Sequence, residues 1–440
     1  MIQSMGKRSW IVLLGGNELN GGLEVVARRY GAGLVVVDWN ARPQIRGDAH
    51  IRCDIKHADA VLEALEPLIE DVHFACTSSD VATETVARLH ARRGLRRPAS
   101  GALALARHKL LTNAAWRRHG LLSKSYRLCR TVDELADFDT TTPGATIVKP
   151  ASGSSSRGIT VLRQRDIEEG ALAVAWRRAA SIDTRGEVLA EEFASGTEFT
   201  VEMVGDGQGH VRVWGISRKY HTVHAGRSRV AVKLHYNPPD VSRRRQVRLA
   251  AFARRCYRAL GLQASLGHLE VIELADGRLV PLELGARSSG FILSHLVDAA
   301  AGLPQTMLEE YEAVLRGGRV TDGLVVPRRS AMYFFYDFPP GFGRRNGTSL
   351  VQHLPPGVRS LAWDRSRLLR GQRFDQIDSD HERHGFEILV GEPERLTIDA
   401  ISRAEADHRL EFVGSHTARP GASGTPKPPR RIAAHADKAV

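Results

Sequence analysis

Near the start of the chain, apolar residues fall in short unbroken runs at Trp10 to Leu14, Leu34 to Val37 and Val72 to Ala75. Between them, Leu23 to Tyr30 and about Ala58 to Ile69 repeat apolar residues at helical spacing. Unbroken β-branched runs belong to strands covered on both faces, so the alternation predicts a β-α-β-α-β unit, doubly wound around a parallel sheet. Ile147 to Lys149 and Ile159 to Val161 predict two strands around a Gly/Ser loop, and Val188 to Ala194 and Phe199 to Val204 predict two more. Leu269 to Leu274 and Leu279 to Leu284 flank Asp276-Gly277, a strong hairpin signal that sets Glu270 beside Glu283 on paired strands. Between Val241 and Leu260, the residues Leu249, Phe252, Cys256, Ala259 and Leu260 keep helical spacing while the arginines Arg243, Arg244, Arg248, Arg255 and Arg258 fall mostly elsewhere. Asp240 is the expected N-cap of that helix and Gly261 its stop. The fold class is α/β.

The Gly/Ser loop carries the first chemistry. In Lys149-Pro150-Ala151-Ser152-Gly153-Ser154-Ser155-Ser156-Arg157-Gly158, glycine lets backbone amides approach an anion, Ser154, Ser155 and Ser156 add hydroxyl donors, and Lys149 supplies a point charge. That combination suits a polyphosphate, and so a nucleotide. It is not a P-loop, because the lysine precedes the glycines and the chain continues as strand rather than helix. A merely flexible turn is the competing reading, and the acids downstream weigh against it. Glu270 and Glu283, brought together by a hairpin, repel each other unless a cation sits between them, and hard divalent ions prefer oxygen ligands, which points to magnesium. Arg287, in Gly285-Ala286-Arg287-Ser288-Ser289-Gly290, stands where a guanidinium can grip a phosphoryl group. A dinucleotide site is set aside: Gly15-Gly16-Asn17 and Gly21-Gly22 do not keep the G-x-G-x-x-G spacing, although Asp38 ends the second strand.

Taken in order, these motifs resemble the ATP-grasp superfamily of carboxylate-amine ligases, from Trp10 to about Phe412. The resemblance implies an N-terminal doubly wound α/β domain over 1–105, an ATP-grasp domain over 106–320 with a mobile lid subdomain at about 121–189, and a small C-terminal α+β domain over 321–415. It implies ATP and Mg2+, with Mn2+ as the alternative ion, and a reaction in which ATP phosphorylates a carboxylate and an amine displaces the phosphate. Lys109, in Ala106-Arg107-His108-Lys109-Leu110, and Lys149 correspond to the two nucleotide lysines. Glu191, Glu192, Phe193 and Ala194 correspond to the hinge that reads adenine, and Glu198 to the acid that receives the ribose hydroxyls. Lys219 corresponds to a further phosphate lysine, Glu270 and Glu283 to the magnesium ligands, and Arg287 to the arginine that stabilises the transferring phosphoryl group. One position departs, since many relatives carry asparagine where this chain has Gly285. The Glu283-Leu284-Gly285-Ala286-Arg287 form is instead similar to the L-amino acid ligase and carnosine-synthase-like branch, which implies amino acid or small peptide substrates. Other ATP-grasp ligases, carboxylases among them, and a nucleotide-binding regulatory protein without turnover are the alternatives.

Composition changes this picture little. The length of 440 residues is ample for several subdomains and a large core. No apolar run approaches the roughly 20 residues that span a bilayer. Cys53, Cys76, Cys129 and Cys256 fit no zinc or redox spacing, so a cytoplasmic protein is expected. The net charge of +12 raises nucleic acid as a partner. Yet much of the excess is arginine on a solvated helical face, with no aromatic-interleaved strand beside it. The expected partners are therefore a small-molecule carboxylate and an amine, with no nucleic acid and no membrane; a second copy of the chain is the one macromolecular partner admitted. His221 and His224 stand three apart without a third ligand, a weak metal signal beside Lys219. Two further residues keep two readings each. Asp80, in Thr77-Ser78-Ser79-Asp80 with Glu84 nearby, either faces the substrate cleft or caps the next helix; His268 either packs in its strand or joins the site. From 416 to 440 the chain turns to Gly, Pro, Ser, Ala and basic residues, the composition of a disordered basic tail.

Overall fold

A computed structural model of the chain describes residues 9–16, 23–153, 157–163, 170–183, 185–224, 227–289, 293–338, 341–342, 350–364, 373–374, 377 and 383–413. Ser154, Ser155 and Ser156 and the tail from 416 lie outside the described residues. Strands β1 (Trp10–Leu14), β2 (Gly33–Asp38), β3 (Ala49–Arg52) and β4 (Val72–Thr77) form a parallel sheet in the order β3-β2-β1-β4. Alternate residues of β1 serve two cores. Ile11 and Leu13 pack with Leu23, Val26 and Ala27 of helix α1 (Leu23–Arg29), whereas Trp10, Val12 and Leu14 pack with α2 (Ala58–Leu65) and α3 (Thr83–Arg92). Coverage of both faces is why β1 and β2 read as unbroken apolar runs. β3 was invisible in the pattern because, as an edge strand, it alternates half-buried and exposed residues in Ala-His-Ile-Arg.

Helices α4 (Ser100–Arg107) and α5 (Lys109–Arg118) lead into a second sheet. It contains β5 (Tyr126–Cys129), β6 (Ala145–Pro150), β7 (Thr160–Arg163) and β8 (Val188–Glu192), antiparallel in the order β5-β8-β6-β7. Helices α6 (Val132–Thr141) and α7 (Ala171–Ala180) close its small core around Leu135, Phe138, Val148 and Val188.

The largest sheet begins with β9 (Gly196–Gly205), β10 (Val211–His224), β11 (Arg227–Asn237), β12 (Ser265–Leu274) and β13 (Leu279–Gly285). Helices α8 (Arg243–Ala259), α9 (Leu293–Ala301), α10 (Met307–Leu315) and α11 (Ile398–Val413) accompany it. The later strands are β14 (Gly323–Leu324), β15 (Ser330–Phe335), β16 (Gly341–Phe342), β17 (Arg359–Asp364), β18 (Arg373–Phe374) and β19 (Phe386–Gly391). The order is β13-β12-β9-β10-β11-β15-β19-β17, with β14 alongside β10, while among the described residues β16 pairs with β18. Strands on either side of residue 321 thus share one sheet through the β11–β15 pairing.

The start of α8 differs from expectation. Ser242, not Asp240, accepts the backbone N–H of Arg245, and Asp240 instead takes the Arg218 guanidinium at 3.0 Å. An N-cap must stand immediately before the first helical residue, and Asp240 lies too far upstream. The helical arginines are not all free: Arg245 and Arg248 pair with Glu273 of β12, and Arg258 holds Asp322 at 2.5 Å. On the other face of α8, the fully buried Tyr257 ring lies across two glycines, and its hydroxyl meets Ser265 Oγ at 2.7 Å. A Cβ on Gly205 would come within 2.4 Å of the Tyr257 hydroxyl, and one on Gly267 within 2.9 Å of the ring. The ring has nowhere to move, so G205A is expected to cost about 1–3 kcal/mol of stability, measured as a lowered urea midpoint with an unchanged denaturant slope.

Candidate functional site

The hairpin brings Glu270 of β12 and Glu283 of β13 opposite one another, with a register shift immediately after Glu270. Their side chains keep 27% and 26% of their surface open. Each acid meets a cation from a distant element. Lys219 of β10 reaches Glu270 Oε1 at 3.2 Å and Glu198 Oε1 at 2.6 Å, while His221 Nε2 takes the other Glu198 oxygen at 2.7 Å. Lys109, the first residue of α5, lies 3.4 Å from Glu283 Oε2 and donates to the Gly153 carbonyl at 2.6 Å. Burial opposes ionisation of Glu270, but Lys219 and His268 outweigh it and hold its carboxyl well below the usual range.

His268 joins this group. It stands opposite Glu202 across β12 and β9, its Nδ1 lies 2.6 Å from Glu202 Oε1, and its Nε2 lies 3.7 Å from Glu270 Oε1. Burial would lower the imidazole, yet Glu202 and Glu270 push it up to about 9.

Arg287 is buried and already engaged. Its Nε and Nη2 donate to the two Asp80 oxygens at 2.8 and 2.6 Å, Nη1 donates to the Ser288 carbonyl at 3.0 Å, and Nη2 stands 3.9 Å from Glu283. Asp80 therefore does not serve as a helix cap; it opens a short turn after β4, and α3 starts three residues later with no side-chain cap. Glu84 turns away, accepting the Ser100 hydroxyl at 2.8 Å. Gly285 has a steric reason to be glycine here: a Cβ would lie 3.0 Å from the Arg287 guanidinium carbon.

The other candidate residues line the second sheet. Lys149, near the end of β6, meets Glu191 Oε2 of β8 at 2.8 Å. The same oxygen accepts Lys124, and Asn113 donates to Glu191 Oε1 at 2.7 Å. Burial pushes the Glu191 carboxyl up, but Lys124 and Lys149 bring it down to about 2. Burial lowers Lys149 to about 8, against the pull of Glu191 and helped by Lys124 and Lys109. Glu192 is fastened to Ser125, whose N–H donates to Glu192 Oε2 at 3.1 Å, and the Phe193 N–H donates to Ala145 O at 2.9 Å. Phe193 and Ala194 are half-buried at the strand end. At the loop root, the Ser152 N–H and hydroxyl donate to Asp183 Oδ2 at 2.8 and 2.6 Å. Lys109 links the two halves of the site, because its backbone N–H donates to Ala151 and its ammonium to Gly153.

Lys124, Asn113, Glu202 and Asp183 escaped the sequence reading. Lys124 and Asn113 acquire meaning only when Glu191 is brought to them, and Glu202 only through its register with His268. The Glu202 to His268 pairing was recoverable in principle once β9 and β12 were placed side by side.

Residues 142–295 match the family of the ATP-grasp domain. The chain is 31% identical over 217 residues to a D-alanine--D-alanine ligase of Bordetella petrii, a match covering 47% of this chain and 63% of that protein. It thus spans less than two thirds of the length of that relative. Its fold is similar to that of an L-amino acid ligase from Bacillus licheniformis, with a TM-score of 0.68 at 16% identity, covering 88% of this chain and 94% of the other. An N5-carboxyaminoimidazole ribonucleotide synthetase in its ADP complex gives a TM-score of 0.67 at 16% identity, with coverage of 92% and 97%. The chain carries an ATP-grasp domain. Among the described residues no helix is long and apolar enough to cross a membrane.

The protonated His268 leaves a signature in stability. Because folding raises its pKa from 6.5 to about 9, its contribution is complete below about pH 6.5 and is lost as pH rises toward 9. Lys149, depressed to about 8, acts in the opposite sense above that pH. The two are separated by comparing unfolding free energies of wild type and H268Q from urea titrations: their difference is expected to shrink by roughly 1–3 kcal/mol between pH 6.5 and 9. A difference independent of pH would contradict the paired imidazolium.

Proposed function

We propose that the chain is an ATP-dependent carboxylate-amine ligase that forms an amide or peptide bond between amino acid or small peptide substrates and releases ADP and phosphate. The observation that carries this is the gathering of Glu270, Glu283, Lys109, Lys219 and Arg287 at one end of a single hairpin, each within ion-pair reach of another, in a chain with an ATP-grasp domain. Two partly open carboxylates on paired strands suit a hard divalent ion, magnesium or manganese, that keeps several waters and takes further oxygens from phosphates. Among the described residues no three His, Cys, Asp or Glu side chains cluster as a metal site. Glu270 and Glu283 would hold it, and when bound it would neutralise phosphate charge.

In this reading Lys109, Lys149 and Lys219 turn from their carboxylates to phosphate oxygens, with Ser154, Ser155 and Ser156 covering them. Glu191, Glu192, Phe193 and Ala194 border the adenine, and Glu198 accepts the ribose hydroxyls. A substrate carboxylate oxygen attacks the γ-phosphorus, the bond to the bridging oxygen breaks, and ADP leaves. Arg287, aimed by Asp80, meets the charge that develops on the transferring group. The amine nitrogen then attacks the acyl carbon, loses its proton and expels phosphate. The likeness to a D-alanine--D-alanine ligase and to an L-amino acid ligase supports amino acid substrates, and Gly285 beneath Arg287 supports the amino-acid-ligase form of the motif. A cytoplasmic location belongs to the same reading.

The test is a screen for ADP and phosphate release across pairs of amino acids, with the product identified by mass. ADP release is expected only with a carboxylate substrate present. E270A or E283A should slow it by roughly two to four orders of magnitude. R287A should bind ATP within about tenfold of wild type, because its target charge appears during transfer, yet form almost no amide. AMP and pyrophosphate as products, or no stimulation by any carboxylate, would overturn the proposed chemistry.

A further inference from the structure

We infer that Lys124 is a positioning residue that frees Lys149 for the polyphosphate, by serving as the permanent counter-ion of the buried Glu191. This rests on the nucleotide reading given above. The Glu191 side chain is 1% exposed, and its Oε2 accepts from both lysines, Lys124 at 4% and Lys149 at 7% exposure. A carboxylate so deeply enclosed cannot remain ionised without a cation, and removing the partner of a buried ion pair leaves an uncompensated charge that is strongly unfavourable. With one lysine, Glu191 and Lys149 would be locked together. With two, the cluster carries one positive charge more than it needs, and one lysine is free to serve an anion.

The surroundings decide which lysine stays. Lys124 is pinned on both sides: its carbonyl accepts Arg117 Nη2 at 2.6 Å, and the next residue, Ser125, exchanges hydrogen bonds with Glu192 through its N–H at 3.1 Å and its carbonyl at 3.0 Å. Lys149 instead stands next to Pro150, the last residue of β6, where the glycine loop begins. If Lys149 turns toward phosphate, Glu191 retains Lys124 on one oxygen and Asn113 on the other.

The full-length chain is titrated calorimetrically with magnesium tripolyphosphate, which has neither base nor sugar and so reports only on the phosphate cations, and MgADP is titrated in parallel. K124M is expected to weaken tripolyphosphate binding by at least about tenfold, because Lys149 must then remain with Glu191. E191Q should bind at least as tightly as wild type. The double variant K124M/E191Q should return to within about threefold of E191Q, since no buried charge is left to guard. Unchanged binding in K124M would overturn the assignment. So would a double variant as weak as K124M, which would make Lys124 a phosphate ligand itself. Should K124M fail to fold, E191Q against K124M/E191Q still decides: near-equal affinities support the assignment, and a loss of about tenfold or more overturns it. A wild-type chain that binds neither tripolyphosphate nor MgADP fails at the nucleotide reading, and the inference falls with it.

Discussion

Partly or fully buried acids that must each find a cation are the constraint around which this molecule is arranged. Glu270 takes Lys219 from β10, Glu283 takes Lys109 from α5, Glu191 takes Lys124 and Lys149 from two further segments, and Asp80, in the turn after β4, takes Arg287. No pair is formed within one local element. Leaving one such acid buried alone costs roughly 3–5 kcal/mol, a large part of the 5–15 kcal/mol by which a domain is stable. The Lys219–Glu270 and Lys149–Glu191 pairs each close within one sheet, whereas Lys109–Glu283 and Arg287–Asp80 form only when separate parts of the chain have come together.

The apolar frame makes those matches repeatable. Leu269, Val271 and Leu284, neighbours of the two hairpin acids, are fully buried in the core that also holds Tyr257, Trp116, Phe199 and Val201. Side chains alternate along a strand, so anchoring Leu269 and Val271 inward fixes the direction in which Glu270 must point. Trp116 adds a directional tie: its Nε1 donates to the Cys256 carbonyl at 3.1 Å, fastening α5, and with it Lys109, to α8.

The elements legible from the sequence were those whose signal is local. β1, β2 and β4 announced themselves as buried runs, and the Asp276-Gly277 turn dictated that Glu270 and Glu283 would be opposite one another. β3 was hidden by its edge position, and the cap of α8 was misplaced because Asp and Ser compete as caps within the same turn. Many candidate residues were singled out by type and order, and the fold brings Lys109, Glu283 and Arg287 into one ion-pair set and Glu198, Lys219 and Glu270 into another, side by side where Glu270 and Glu283 stand opposite one another. Their present partners were not legible. That Arg287 rests on Asp80, or that Lys124 shares Glu191 with Lys149, depends on tertiary approach across long stretches of chain, which no periodicity encodes.

The close seat of Arg287 over Gly285 has a consequence for how such a site can diversify. A methyl group at that position would stand 3.0 Å from the Arg287 guanidinium carbon, so the guanidinium would have to give by a few tenths of an ångström. A side chain after the second acid therefore presses on the arginine docked on Asp80. Positions 80, 285 and 287 are thus coupled through the Arg287 guanidinium, whose resting place depends on Asp80 on one side and on the space over residue 285 on the other.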